Sequence, residues 1–146
     1  MLRLDVIIPA FNEEKTIGAV VTAARACPLV DRVLVIDDGS RDQTANVART
    51  AGAEVVILQG NRGKTAALVS GAKATSAPIV LLLDADLIGL TPSHLEALAA
   101  PVLAGQAAMS IGVFLDGRWI TDLSQSLTPF LNGQRVLRHE LLAGLE

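Results

Sequence analysis

Tyrosine is absent from this 146-residue chain, and one tryptophan and three phenylalanines are the only aromatic side chains. The core must therefore be aliphatic, drawn from the Ala, Val, Leu and Ile that dominate a composition 51% hydrophobic. With only 18% of residues charged, the chain is not of the disordered class, and its length suits one domain with a sizeable core. Cysteine is equally scarce. Cys27 stands alone, so no intrachain disulfide can form, and a reducing compartment fits. It follows a helix-like stretch and precedes Pro28, the setting of a small buried hydrophobe rather than a nucleophile. There is no excess of positive charge. A net charge of −3 argues against a nucleic-acid-binding surface, which needs a basic patch. Long hydrophobic runs are missing too, all being far short of the ~20 residues a membrane span needs. Arg3 and Asp5 interrupt the N-terminus, so no signal peptide is visible, and the reading is of a cytoplasmic domain without a transmembrane segment.

What is present is alternation. Leu4–Pro9, Val33–Ile36, Val55–Leu58 and Ile79–Leu83 are short apolar runs, each the pattern of a strand buried on both faces. Between them, Glu14–Ala26, Thr44–Ala51 and Lys64–Ala74 read as helices, with Gly52 placed to end the second. Thr91-Pro92 pairs a cap with a first-turn proline and opens a helix to about Leu103, which Gly105 ends. Ala107–Phe114 is a candidate fifth strand and Asp116-Gly117 a turn. Ile120–Leu131 is read as helical with a break at Pro129, and Gln134–Leu142 as a last amphipathic helix. The fold class is α/β: one domain over residues 1–146 with a Rossmann-like, mostly parallel sheet flanked by helices.

The polar residues fall where such sheets bind ligands. Asn12-Glu13-Glu14, Asp37-Asp38-Gly39-Ser40, Gly60-Asn61-Arg62-Gly63-Lys64-Thr65 and Asp84-Ala85-Asp86 each follow a strand, so all four share the carboxyl edge. Taken alone, Asp37, Asp38 and Ser40 read equally well as a capped turn. Glu13 and Glu14 suit a helix start. Asp84 and Asp86 are harder to place as mere structure. At ~3.3 Å per residue their side chains stand about 6.6 Å apart on one face, and at an effective dielectric of ~20 they repel by about 2.5 kcal/mol. A divalent cation, Mg²⁺ or Mn²⁺, removes that cost and brings phosphate oxygens with it. Lys64 opens a helix beside glycines and offers the same anion a cation and free N–H groups. The rim reads as a nucleoside diphosphate cradle, with base and ribose at the first two strands and phosphates and metal at Lys64 and the fourth.

"VIIPAFNEE", "VIDDGSRDQT", "NRGKTAAL" and "LLLDADL", in this order, resemble the nucleotide-sugar half of family 2-type glycosyltransferases of the GT-A fold. The similarity spans Val6 to about Leu87 and feels nearest to polyprenyl-phosphate sugar synthases and glucosyl-phosphoglycerate synthases. It implies that Pro9, Ala10 and Glu13 line the nucleoside pocket, with Asp38 at the base or ribose and Asp37 in support. It puts Lys64 near base and diphosphate, counts Ala85 with the nucleotide-binding residues, and makes Asp84 and Asp86 the metal motif with Asp86 the direct ligand. Later, "PFLNGQRVLRHELL" resembles the loop that faces sugar or acceptor in such enzymes, which implies that role for Gly133, Gln134 and Arg135. His139 reads as a surface residue.

The implied activity is metal-dependent transfer of a sugar from a nucleotide-diphospho-sugar to a hydroxyl or phosphate acceptor, a lipid phosphate or a small phosphorylated acid. Residues 1–90 form the nucleotide-sugar-binding part and 91–146 a partial acceptor side. Members of the family run longer, so the chain is expected to bind donor but transfer poorly by itself, and to self-associate. No catalytic base stands out; Asp116 and Asp122 are the candidates. Two rivals are a sugar nucleotidyltransferase and a non-catalytic nucleotide-binding module. The first often carries a Gly-rich, basic loop after strand one, and here that loop is Pro9-Ala10-Phe11-Asn12-Glu13, acidic and without glycine.

Overall fold

The computed structural model describes residues 2–115, 118–121 and 134–145. The element order is β1 (Leu4–Ala10), α1 (Ile17–Ala26), β2 (Val30–Asp37), α2 (Thr44–Ala51), β3 (Glu54–Ile57), α3 (Lys64–Ala74), β4 (Ile79–Leu82), α4 (Pro92–Leu103), β5 (Met109–Leu115), β6 (Arg118–Thr121) and β7 (Gln134–Arg138), closed by a 3-10 helix at His139–Leu145. All seven strands join one sheet in the order β3-β2-β1-β4-β7-β5-β6. The pairings β3–β2, β2–β1 and β1–β4 are parallel, as expected of strands separated by helices. Beyond β4 the pairings are antiparallel.

Each parallel strand is apolar on both sides because both sides are covered. Val6 and Ile8 of β1 pack with Ile17 and Val20 of α1 and Leu95 and Leu98 of α4. Ile7, between them in sequence, packs in a second cluster with Ala67 of α3, Leu34 and Ile36 of β2, and Leu142. All three β1 side chains are fully buried, each stabilising the fold by roughly 1.5–3 kcal/mol. Helix α3 lies unusually close to the sheet. A Cβ at Gly71 would come within 2.4 Å of Ile7 Cγ2, so only glycine allows this approach. The helix ends follow the expected chemistry. Gly52 takes φ 107° at the end of α2, and the Thr91 hydroxyl accepts from the His94 amide at the start of α4.

Two expectations about the C-terminal third are corrected. Gln134–Arg138 is not the start of a helix but strand β7, seated between β4 and β5. Val136 enters one core cluster and Leu137 the other. A strand covered on both faces shows adjacent apolar residues, and with Leu141 and Leu142 following, that run imitates helical spacing. Within the expected helix Ile120–Leu131, Ile120 and Thr121 belong to β6 instead, and residues 122–131 lie outside the described residues.

Candidate active site

The four parallel strands deliver their following loops to one edge, and the loops are bonded to each other. Asn12, held at φ 52°, donates its amide to the Ser40 hydroxyl at 2.9 Å, and its side-chain oxygen accepts from the Arg41 amide at 2.9 Å. The Glu13 amide donates to Thr44 Oγ1 at 2.9 Å. The Glu14 carboxylate accepts from the Gln43 amide at 3.0 Å. The β1 loop and the β2 loop thus form one surface. Asp42 contributes from beneath: its slight burial pushes its carboxyl up, but hydrogen bonds from Thr44 and the Glu14 amide outweigh this and hold it below the usual carboxylate range.

Asp37 and Asp38 do different work. Asp37 Oδ1 accepts from the Ser40 amide at 2.8 Å, closing the turn after β2. Asp38 is buried, and its two oxygens accept from the Arg62 and Gly63 amides at 2.8 and 2.9 Å. Its carboxylate therefore fastens the β3–α3 loop just before Lys64. Gly39 makes this contact possible, since a Cβ there would lie 2.9 Å from the Gly60 carbonyl carbon. Pro9 is half-buried and Ala10 buried; the Ala10 carbonyl accepts from the Asp38 amide at 2.9 Å. Glu13 turns its carboxylate to the Thr16 hydroxyl at 3.2 Å, at the start of α1.

Asp84-Ala85-Asp86 lies just past the end of β4. Lys64 Nζ lies 2.6 Å from Asp84 Oδ1. Strand order alone separates these residues by two strands, but α3 crosses over β1 to connect β3 with β4 and carries Lys64 at its first turn. Gln134 holds the other side of Asp84: its Oε1 accepts from the Asp84 amide at 2.6 Å and its Nε2 donates to Asp84 Oδ2 at 2.9 Å. Ala85 is buried, while Asp86 is exposed. Among the described residues nothing hydrogen-bonds the Asp86 carboxylate, and no group of three or more His, Cys, Asp or Glu side chains converges on a metal position. The acids after β1 and β2 thus do not join the β4 pair in such a group.

Arg135 is half-buried on β7, paired in register with Leu82 and Ile111. Gly133, Asp116 and Asp122 lie outside the described residues. His139 is not a free surface residue: its Nε2 is 2.8 Å from the Ala72 carbonyl oxygen of α3. The bonds of Asn12, Ser40 and Thr44 and the grip of Gln134 on Asp84 went unread in the sequence. Each links residues far apart in the chain, and the one local signal was polar residues crowded at strand ends.

The profile of glycosyl transferase family 2 matches residues 5–142. Glucosyl-3-phosphoglycerate synthase of Mycolicibacterium smegmatis is 36% identical over 109 residues, covering 68% of this chain and 36% of the relative. The Mycobacterium tuberculosis enzyme of the same name is 35% identical over 120 residues, covering 76% of this chain and 37% of the relative. Among solved structures, the M. tuberculosis synthase in complex with Mn²⁺, uridine diphosphate and glucosyl-3-phosphoglycerate matches with a TM-score of 0.79 at 32% identity, over 96% of this chain and 58% of that one. Its complex with Mn²⁺, UDP-glucose and phosphoglyceric acid matches equally well, at 0.79 and 30% identity. The chain belongs to glycosyl transferase family 2 and has the GT-A fold of these synthases. It spans just over a third of the length of the curated relatives, 36 and 37%.

Proposed function

We propose that this chain carries the donor site of a metal-dependent glycosyltransferase that moves a sugar from a uridine-diphospho-sugar to a small phosphorylated acid. The observation that carries this reading is the cluster of Lys64, Asp84 and Asp86 at the carboxyl edge, with Asp86 exposed and unengaged by any described residue. The side chains present suit a hard divalent cation: Asp84 and Asp86, in the segment just past β4, would hold it together with diphosphate oxygens and water. Asp86 would be the direct ligand and Asp84 the anchored neighbour. Mg²⁺ or Mn²⁺ bound there would offset charge on the departing diphosphate.

The chain's own residues do the rest. The surface built by the Asn12, Glu13 and Asp37 loops receives base and ribose, with Pro9 and Ala10 supplying backbone beside it. Lys64 exchanges part of its contact with Asp84 for the diphosphate. Arg135, which the resemblance assigns to the sugar or acceptor, would take the acceptor's phosphate or carboxylate with its planar guanidinium. Uridine and a phosphorylated acid are chosen because the relatives matched here bind UDP, UDP-glucose and phosphoglyceric acid. The nucleotidyltransferase reading loses ground, since the loop after β1 is acidic, free of glycine and hydrogen-bonded to the β2 loop through Asn12, Glu13 and Glu14.

Calorimetry of UDP and UDP-glucose on the purified chain, with Mn²⁺ and then with chelator, tests the reading. Binding tightened by the metal is expected. Equal affinity in both conditions, or none in either, would overturn it. Incubation of UDP-glucose with a phosphorylated acid, read by mass spectrometry, tests transfer.

A further inference from the structure

Gln134 is 3% exposed, and among the described residues both ends of its side-chain amide bond one residue, Asp84. The pairing of β4 with β7 ends at Leu82↔Arg135. Just past that point the side chain of Gln134, not its backbone, takes the Asp84 amide at 2.6 Å, while its other end donates to Asp84 Oδ2 at 2.9 Å. Only one orientation of the Gln amide satisfies both contacts, oxygen to the N–H and nitrogen to the carboxylate. Lys64 holds the remaining oxygen, Oδ1. Asp84 is therefore gripped at three atoms by two other elements, and Asp86, two residues on, is gripped at none that the described residues show.

We propose that Gln134 is a positioning residue for the metal step. It extends the β4 ladder by one side-chain bridge and fixes the backbone and carboxylate of Asp84. The chain then leaves the sheet at a set angle and presents Asp86 outward. The side-chain contacts of Gln134 run to Asp84, whereas the resemblance implied a role at the sugar or acceptor. Length and both polar ends are needed together: Asn is one methylene short, and Met keeps the buried volume but loses both bonds. This inference rests on the donor-site reading above.

The test compares wild type, Gln134→Met and Gln134→Asn. In free protein the Asp84 amide proton, in a short bond to an amide oxygen, should resonate downfield in wild type and move upfield in both variants. The ratio of UDP dissociation constants in chelator and in Mn²⁺ is then measured for each. Loss of an outer-shell partner typically costs about 10–100-fold in metal affinity, so the ratio should shrink by about that factor in Gln134→Met. The dissociation constant in chelator should stay within about twofold, because the nucleoside side of the rim is untouched. A purely structural role would move both constants together and leave the ratio alone, and that outcome overturns the proposal. So does an unchanged ratio after the Asp84 resonance has moved. If Gln134→Met does not fold, Gln134→Asn carries the same comparison. A wild-type chain that shows no metal enhancement refutes the donor-site reading itself, and the positioning role falls with it; an enhancement equal in wild type and variants refutes the positioning role alone.

Discussion

The two edges of the parallel sheet both hold acids, and they treat them in opposite ways. At the amino edge Asp5 is buried, and its carboxylate accepts from the Thr75 hydroxyl and lies 3.5 Å from Arg32. At the carboxyl edge Asp86 is exposed and without a described partner. Asp5 is satisfied by the fold; Asp86 has no partner among the described residues. The difference teaches that an acid at a strand end is read by its partners, not its position. A buried carboxylate with a hydroxyl and a guanidinium is structure, and an open one beside an anchored neighbour is free to take a ligand. Asp84 and Asp38 lie between these extremes, since both are bonded within the protein and both border the open surface.

The sharpest way to break this comparison is Asp86→Asn. It should abolish the tightening of UDP binding by Mn²⁺, while the melting curve stays put, because exposed substitutions cost within about 0.5 kcal/mol. Equal metal enhancement in wild type and variant, read by calorimetry, would put the ligand elsewhere.

Asp38→Ala comes next. The substitution strips the acceptors from the Arg62 and Gly63 amides, and hydrogen bonds to a charged group contribute about 1.5–3 kcal/mol. Stability should fall by about that amount in denaturant titrations. Uridine and UDP should weaken by similar factors, since the loop that supports both is loosened. An effect confined to UDP with metal would tie Asp38 to the phosphate end instead.

Asp5→Ala probes the opposite edge. It leaves the buried Thr75 hydroxyl without its carboxylate, at a cost of about 1–3 kcal/mol. UDP binding, with or without metal, should be unchanged. A loss of affinity at constant stability would mean the two edges are not independent.

The first four strands and their helices were legible because each apolar run is short, bounded by turn residues and separated by helical spacing. The rim was legible for the same reason: once the strands are parallel, Glu13, Asp38, Lys64 and Asp84 must share an edge. β7 was not. Val136 and Leu137 serve opposite faces of the sheet, and no local pattern distinguishes that from a helix. Nor was the grip on Asp84 legible, since Gln134 lies 50 residues away and its neighbour is set by sheet order. Asp38 was assigned to the nucleoside by resemblance; its bonds to the Arg62 and Gly63 amides depend on two loops meeting at Gly39 and Gly60.

The smallest effect expected lies on the exposed edge of the sheet. Arg32 on β2 reaches Glu54 on β3 through two contacts, Nε at 3.0 Å and Nη2 at 2.7 Å. The hydrogen bond from Arg32 holds the Glu54 carboxyl below the usual glutamate range. A carboxyl whose folded pKa lies below its unfolded one adds stability above the unfolded value. That increment is lost as the pH falls through the folded value. Glu54 is exposed and Arg32 half-buried, so screening keeps the increment small. Glu54→Gln should therefore lower the midpoint of urea unfolding slightly at pH 7 and progressively less as the pH falls below the usual glutamate range, and the difference at pH 7 should shrink in 1 M salt. A deficit that stays unchanged however far the pH is lowered would show that Glu54 acts through packing rather than charge, and the pairing across β2 and β3 would then count with Asp5 as part of the fold.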